Sequence, residues 1–113
     1  MAAITVTNST PGWLTLWIEP LGEDRWLRPG EAFVVRSDYS GDQSAFTVQY
    51  SVNAGDRAAG IENVTVWIDQ GDIYATVVDD QGRVIECGHQ RPADISARWR
   101  ASTDLAGGGR AAR

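Results

Sequence analysis

Residue types that carry much protein chemistry are scarce in this chain of 113 residues, which has no lysine, one cysteine (Cys87) and one histidine (His89). A single cysteine cannot form an intrachain disulfide, so the sequence indicates a reducing compartment, the cytoplasm. A single histidine cannot supply the two or three imidazoles of a cupin-type metal centre within one subunit. A catalytic triad would need His89 as its base, and its sequence neighbours form no nucleophile signature.

Long hydrophobic runs are also absent. No apolar stretch approaches the roughly 18–20 residues that a membrane-spanning helix requires. The first residues, 1–7, show neither the basic region nor the apolar core of a secretory signal. With 42% hydrophobic and 22% charged residues, the composition is typical of a folded domain. We therefore expect a single cytoplasmic domain with no membrane partner.

Negative charge dominates, and it is unevenly distributed. The net charge is −5, and residues 1–90 contain 13 acidic and 5 basic groups, against 2 acidic and 5 basic groups in residues 91–113. An acidic body repels phosphate backbones, so we expect no nucleic-acid partner. The basic end can dock on the acidic body, which is the simplest use for it.

Short segments of alternating apolar and polar residues recur between turn sequences. This pattern predicts an all-β fold over residues 1–92, a small antiparallel barrel or two-sheet sandwich of about seven or eight strands linked by hairpins. Within residues 44–53 the side chains expected to face the core are Phe46, Val48, Tyr50 and Val52. A strand is expected at 84–87 and a flexible loop at 53–60.

The C-terminal segment has a different character. Residues 93–105 are predicted to form a short helix that packs on or near the β domain, because Ile95 and Trp99 are four residues apart and share one helix face. Residues 106–113 contain three consecutive glycines, and we expect a disordered tail there.

The most informative stretch is Trp13-Leu14-Thr15-Leu16-Trp17-Ile18. Read as a strand, it places aliphatic side chains on one face and two tryptophans on the other, so both faces need cover. The cover for Trp13 and Trp17 can be the C-terminal helix, a second protein chain or a ligand inside a barrel. Trp67 leaves the same three alternatives open.

These indoles point to binding. Aromatic anchors dominate the energy of protein interfaces, and carboxylates around them favour a basic partner. We therefore predict a non-enzymatic interaction or accessory domain that binds a protein partner or a second copy of itself. The alternative is a small ligand-binding or catalytic barrel with an aromatic-lined pocket, with Glu19 or His89 as its polar group. The candidate binding residues are Trp13, Trp17, Trp67, Glu19, Glu23 and Asp24.

We predict no cofactor and no metal. Cys87 and His89 can supply two zinc ligands, and two ligands make no structural site unless a second subunit contributes the others. The many aspartates, such as Asp79 and Asp80, occupy turns, where their side chains commonly bond the backbone. No glycine-rich loop leads from a strand into a helix, which excludes a nucleotide site of that design.

Two motifs carry a resemblance. The first is Glu19-Pro20-Leu21-Gly22-Glu23 followed by Leu27-Arg28-Pro29-Gly30, and the second is Glu86-Cys87-Gly88-His89-Gln90-Arg91-Pro92. In these segments the chain resembles small uncharacterised bacterial all-β proteins with an E-P-x-G-E segment, an L-x-P-G turn and an E-C-G-H-x-R-P edge. The resemblance implies a β domain spanning residues 13–92 and implies no activity. The arginine-only, alanine-rich and glycine-rich composition is also typical of a bacterial source.

Overall fold

The computed structural model describes the backbone of residues 1–105 and the side chains of residues 1–101. The tail expected at 106–113 lies outside the described residues. The elements are β1 (Ala2–Thr7), β2 (Trp13–Glu19), β3 (Glu23–Leu27), β4 (Ala32–Ser37), β5 (Phe46–Ser51), α1 (Ala54–Ala58), β6 (Ile61–Ile68), β7 (Thr76–Val78) and α2 (Ala93–Leu105).

The strands form two sheets that do not close into a barrel. One sheet has three antiparallel strands in the order β1-β4-β7, and the other has four strands in the order β3-β2-β6-β5. Strand β2 pairs antiparallel with β3 and parallel with β6. A strand with two apolar faces suits this central position, because parallel strands are usually covered on both sides.

One apolar core is built from both sheets. The aliphatic face of β2 lies in this core, and Leu16 and Ile18 are fully buried. Residues of β1, β4 and β7 meet it from the other sheet. The core cluster consists of Val6, Leu14, Leu16, Ile18, Leu27, Phe33, Val35, Val66, Ile68, Val77 and Ile85.

The connectivity predicted from sequence was partly wrong. An antiparallel fold with hairpin-linked strands was expected, and β2–β3 and β5–β6 do pair in that way. However, β6 also pairs parallel with β2, and β7 pairs with β4 in the other sheet. Residues 84–87 form no strand and contribute one isolated bridge, from Val84 to Val78. The expected loop at 53–60 contains α1, which is capped by the Asn53 side chain. Strands that pair with segments distant in sequence leave no local signal, which explains why the strand pairing was predicted wrongly.

Strand β5 also departs from the prediction. Its apolar side chains do share the direction of the core, since Phe46, Val48 and Tyr50 lie opposite Ile68, Val66 and Val64. Only Phe46 packs against the core, whereas Val48 is 48% exposed and Tyr50 65% exposed. The strand lies at the edge of its sheet, where a side chain on the core side is buried only if the opposing sheet extends far enough to cover it.

Candidate functional site

The outer side of the four-stranded sheet carries the tryptophans predicted from sequence. Since neighbouring side chains on a strand alternate between faces, the residues flanking the core positions point outward. We call this surface the outer face. Its members are Asp24 and Trp26 on β3, Trp13, Thr15, Trp17 and Glu19 on β2, Ile61, Asn63, Thr65 and Trp67 on β6, and Thr47, Gln49 and Ser51 on β5.

Helix α2 covers one end of the outer face. Ile95, which is 4% exposed, forms a second apolar cluster with the buried Trp26 and Ile61. Trp13 and Trp99 pack against this cluster, and the rings of Trp13 and Trp26 meet edge to face at 5.9 Å between centroids. Of the three covers considered for the indoles, the chain's own helix is therefore the one found at this end of the outer face, where Ile95 packs on Trp26 and Trp13 packs against the same cluster.

An ion pair holds the segment that leads into α2. Asp24 accepts hydrogen bonds from Arg91 at 2.6 and 2.8 Å and from the indole of Trp26 at 2.7 Å. Burial alone would raise the pKa of Asp24, but the bonds from Arg91 and Trp26 outweigh it, and the pKa lies below its ordinary value. The same bond to Asp24 raises the pKa of Arg91. The guanidinium also lies over the ring of Trp99, 4.9 Å from its centroid.

Trp17 connects this cluster to the other helix. Its ring lies 5.8 Å from that of Trp99 at an angle of 37°, and its indole N–H donates to Asn63 Oδ1 at 3.0 Å. The amide of Asn63 in turn donates to Asp56 of α1 at 2.8 Å. Asp56 is fixed because its backbone N–H bonds the side chain of Asn53. These contacts position α1 and α2 on opposite sides of one depression.

That depression is an open cleft of about 590 Å³. Its volume lies within the range of roughly 300–1,000 Å³ typical of small-molecule sites. Tryptophan rings and isoleucines form its apolar walls, while hydroxyl, amide and charged groups supply the polar lining. The lining residues are Thr15, Trp17, Trp26, Ser51, Asn53, Gly55, Asp56, Ile61, Asn63, Thr65, Ile95, Arg98 and Trp99.

The Thr15 hydroxyl lies at the floor of this cleft. Thr15 is fully buried, and its Oγ1 has no hydrogen-bond partner among the residues that the structure describes. A buried hydroxyl without a partner costs about 1–3 kcal/mol relative to a bonded one. Buried polar groups in folded proteins nearly always have a partner, so this hydroxyl is a candidate to bind a water molecule or a polar ligand group.

Trp67 lies at the other end of the outer face, beyond the cleft. It is opposite Glu19 in the register of β2 and β6 and is 37% exposed. Its indole N–H donates to the exposed Gln49 at 2.8 Å. Trp67 does not line the cleft. The three tryptophans predicted from sequence are therefore separated: Trp13 lies at the covered end, Trp17 in a wall of the cleft and Trp67 at the open end.

The carboxylates expected to form an acidic rim occupy different environments. Glu19 and Asp24 are 4% and 2% exposed, and Glu23 forms an ion pair with the buried Arg25 at 3.1 Å. Asp24 is enclosed with Arg91, so it is not a surface charge that a basic partner can meet. Glu19 and Asp24 therefore do not form the exposed acidic rim that was expected, because neither alternation nor loop position in the sequence reveals that a side chain is buried against distant segments.

Cys87 and His89 are not among the residues that line the cleft. The Cys87 thiol is 3.7 Å from Asp24 Oδ1, and burial raises its pKa. The ring of His89 meets Phe33 at 5.7 Å. Within residues 1–101, whose side chains are described, no group of three or more His, Cys, Asp or Glu side chains is arranged to hold a metal ion.

Sequence reasoning missed the polar part of the cleft. Asn63 and Asp56, which line the cleft, were not selected, and neither was Arg91, which lies outside the lining and pairs with Asp24. Their positions depend on pairing between distant segments. One local signal was present, since Asn53 followed three residues later by Asp56 is typical of a helix N-terminus. Recognising it would have placed α1 where the flexible loop was expected.

Comparison with known proteins returned no relative: no protein-family model, no curated protein and no solved structure matches the chain. The resemblance to bacterial all-β proteins stays a prediction. In the part of the chain that the structure describes, neither helix has the length and apolar character needed to span a membrane.

Proposed function

We propose that this protein is a non-enzymatic interaction domain whose outer face binds a protein partner. The observation that carries the proposal is the division of the outer face, where α2 covers one end and leaves an aromatic cleft and Trp67 beyond it. Indoles that are partly exposed beside polar groups are typical anchors of protein interfaces. We also infer that the two sheets pack as a sandwich in a cytoplasmic protein of bacterial type.

The chemistry of the cleft favours binding over catalysis. Among its described lining residues, Asp56 is the one carboxylate and Arg98 the one cationic group, and there is neither histidine nor cysteine. Hydrolysis of a glycosidic bond commonly uses two carboxyl groups, and acyl transfer uses an activated nucleophile with a base. These arrangements are not assembled here, whereas aromatic and amide groups suit recognition.

Replacing Trp67 tests the proposal directly. Full-length protein is used to capture its partner from extracts of its own cells, and the affinity of the purified partner is then measured by calorimetry. Trp67→Ala is expected to weaken binding about 30-fold, since an interface anchor contributes roughly 2 kcal/mol. Trp67 is a sharper choice than Trp17, whose ring also packs against Trp99.

The matched control is Tyr74→Ala. Tyr74 is an aromatic residue that is 70% exposed between β6 and β7, outside the outer face, and its loss should leave the affinity unchanged. Equal weakening by both variants, or no weakening by Trp67→Ala, would exclude the open end of the outer face as the binding surface.

A small-ligand function is the second candidate, and the cleft is the observation that favours it. Its lining combines an unpartnered hydroxyl of Thr15 with the amide of Asn63 and indole rings. One negative charge, on Asp56, and one positive charge, on Arg98, leave the lining close to neutral, which suits an uncharged ligand with several hydrogen-bonding groups. Binding that survives Trp67→Ala and is lost with changes in the cleft would favour this function.

A further inference from the structure

Strand β5 is a free edge of the four-stranded sheet. It pairs with β6 on one side, and on its other side lies no strand from residues 1–105. Backbone N–H and C=O groups along that side are therefore available for pairing with another strand. The C=O of Phe46 already accepts a hydrogen bond from the Ser44 hydroxyl at 2.9 Å and has a second lone pair for such pairing. The opposite edge is protected, since the backbone of Trp26 donates to His89 and the backbone of Gly88 donates to Asp24.

The edge strand also exposes apolar side chains. Val48 and Tyr50 point toward the core side of the sheet, yet they remain 48% and 65% exposed. The core cluster reaches β5 only at Phe46, which packs against it from a half-buried position. An uncovered apolar row on a free edge is the surface that edge-to-edge association uses.

The charge pattern of this edge fits a second copy of the same chain. Strand β5 reads Phe-Thr-Val-Gln-Tyr-Ser, without charge, proline or glycine, whereas natural edge strands commonly carry such residues to prevent pairing. Its nearest carboxylates are Asp69 and Glu62, which accept hydrogen bonds from Thr47 and Tyr50. Both carboxylates lie on the β6 side of β5. If β5 of a second copy paired with this edge, three strand spacings, about 14 Å, would separate β6 from β6 of the other copy. That distance exceeds the Debye length of roughly 8 Å, so repulsion between the carboxylates of the two copies would be weak.

We propose that β5 pairs antiparallel with β5 of a second copy. The two-fold axis that relates the copies passes between their Val48 residues. In this register Phe46 of each copy lies opposite Tyr50 of the other, and the two Val48 side chains lie opposite each other. Thr47 then faces Gln49 on the polar side. The pairing is self-complementary on both faces, as an isologous interface requires.

The dimer forms along the edge of β5 and goes beyond the proposed protein-binding function, although Thr47 and Gln49 belong both to this edge and to the outer face. Trp67, the proposed anchor for the protein partner, lies on β6, one strand away from the edge. It joins the two four-stranded sheets into one continuous sheet. A seam of six residues spans about 20 Å and buries less than the ~1,200 Å² of a stable interface. The association is therefore expected to be weak and dependent on concentration.

The test is the solution mass of the full chain between about 10 µM and 1 mM, measured by sedimentation. The mass of the wild-type protein should rise from that of one chain of 12.3 kDa toward twice that value. Val48→Lys places two like charges opposite each other at the axis, and the variant should remain a monomer throughout. The control Val84→Lys alters another exposed valine outside β5 and should associate as the wild type does.

Mixing complementary variants tests the register. Val48→Lys and Val48→Glu should each be monomeric alone, and an equimolar mixture should recover the dimer because opposite charges then meet at the axis. Damage to the fold would not be reversed by mixing. Trp67→Ala should leave the mass unchanged, so loss of outer-face binding and loss of the dimer are distinguishable.

Three results would overturn the proposal. A wild-type protein that is still monomeric at about 1 mM has no edge pairing of useful strength. A Val48→Lys variant that dimerises like the wild type associates through another surface. A mixture of the two charged variants that stays monomeric excludes the two-fold register through Val48.

Discussion

The two ends of the outer face each carry a tryptophan, and the two indoles differ in how far they are buried. At one end Trp26 is 2% exposed beneath Ile95 of α2; at the other, Trp67 is 37% exposed and bonds only the exposed Gln49. The residue type is the same and the strand position is comparable. What differs is the helix above, which shows that cover from elsewhere in the chain determines whether an indole stabilises the fold or remains available to a partner.

Between these ends lies the cleft, where a tryptophan is both packed against the helix and accessible as part of the cleft wall. The ring of Trp17 packs against Trp99 and its N–H is bonded to Asn63, so it supports the fold while forming a wall of the cleft. Binding surfaces built on such held side chains lose little conformational entropy when a partner arrives. The fixed positions of α1 and α2 therefore make the cleft a preorganised site.

The largest expected effect comes from removing the covered indole. Trp26→Ala deletes a buried ring, its edge-to-face contact with Trp13 and its bond to Asp24, and should cost about 3–5 kcal/mol of unfolding free energy. Trp67→Ala at the open end should cost about 1 kcal/mol or less. Chemical denaturation of both variants measures the contrast, and equal costs would show that the two ends are covered alike.

A somewhat smaller loss is expected when the ion pair under α2 is broken. Asp24→Asn removes a buried carboxylate but leaves Arg91 partly exposed, so the cost should be about 3 kcal/mol at neutral pH, at the lower end for buried pairs. Because Arg91 and Trp26 hold the pKa of Asp24 below its ordinary value of 3.8, the pair stabilises the fold above that pH. Its contribution is lost as the pH falls through the depressed folded pKa.

The measurement is the unfolding free energy of wild type and Asp24→Asn at several pH values. The difference between the two should be constant near neutrality and shrink as the pH falls below about 4. A difference that does not change with acid would assign the effect to packing rather than to the ionised carboxylate.

The smallest expected change in the free energy of unfolding is an increase. Thr15→Val replaces the unpartnered hydroxyl at the cleft floor with a methyl group of similar shape, and should stabilise the protein by about 1 kcal/mol. Thr5→Val on the exposed side of β1 is the control and should change stability little. Thermal unfolding of the two variants decides the matter; destabilisation by Thr15→Val would mean that the hydroxyl has a partner in solution.

Much of this arrangement follows from local pattern. Alternation located β2 and its two apolar faces, and the spacing of Ile95 and Trp99 indicated a helix able to cover an indole. The partnership of Asp24 with Arg91 joins residues 67 positions apart, and no feature of either segment identifies the other. For the same reason alternation placed Val48 and Tyr50 on the core side of β5 but did not reveal that they stay exposed there.

Side-chain periodicity is a local property of strands and helices, and it was enough to establish a β domain with a C-terminal helix and with indoles that need a second layer. Three further features follow from the assembled fold: β2 and β6 run parallel, α2 covers Trp26 and not Trp67, and β5 forms an open edge. Those outcomes depend on which distant segments bury each other, and burial is a property of the whole assembled chain rather than of any one segment.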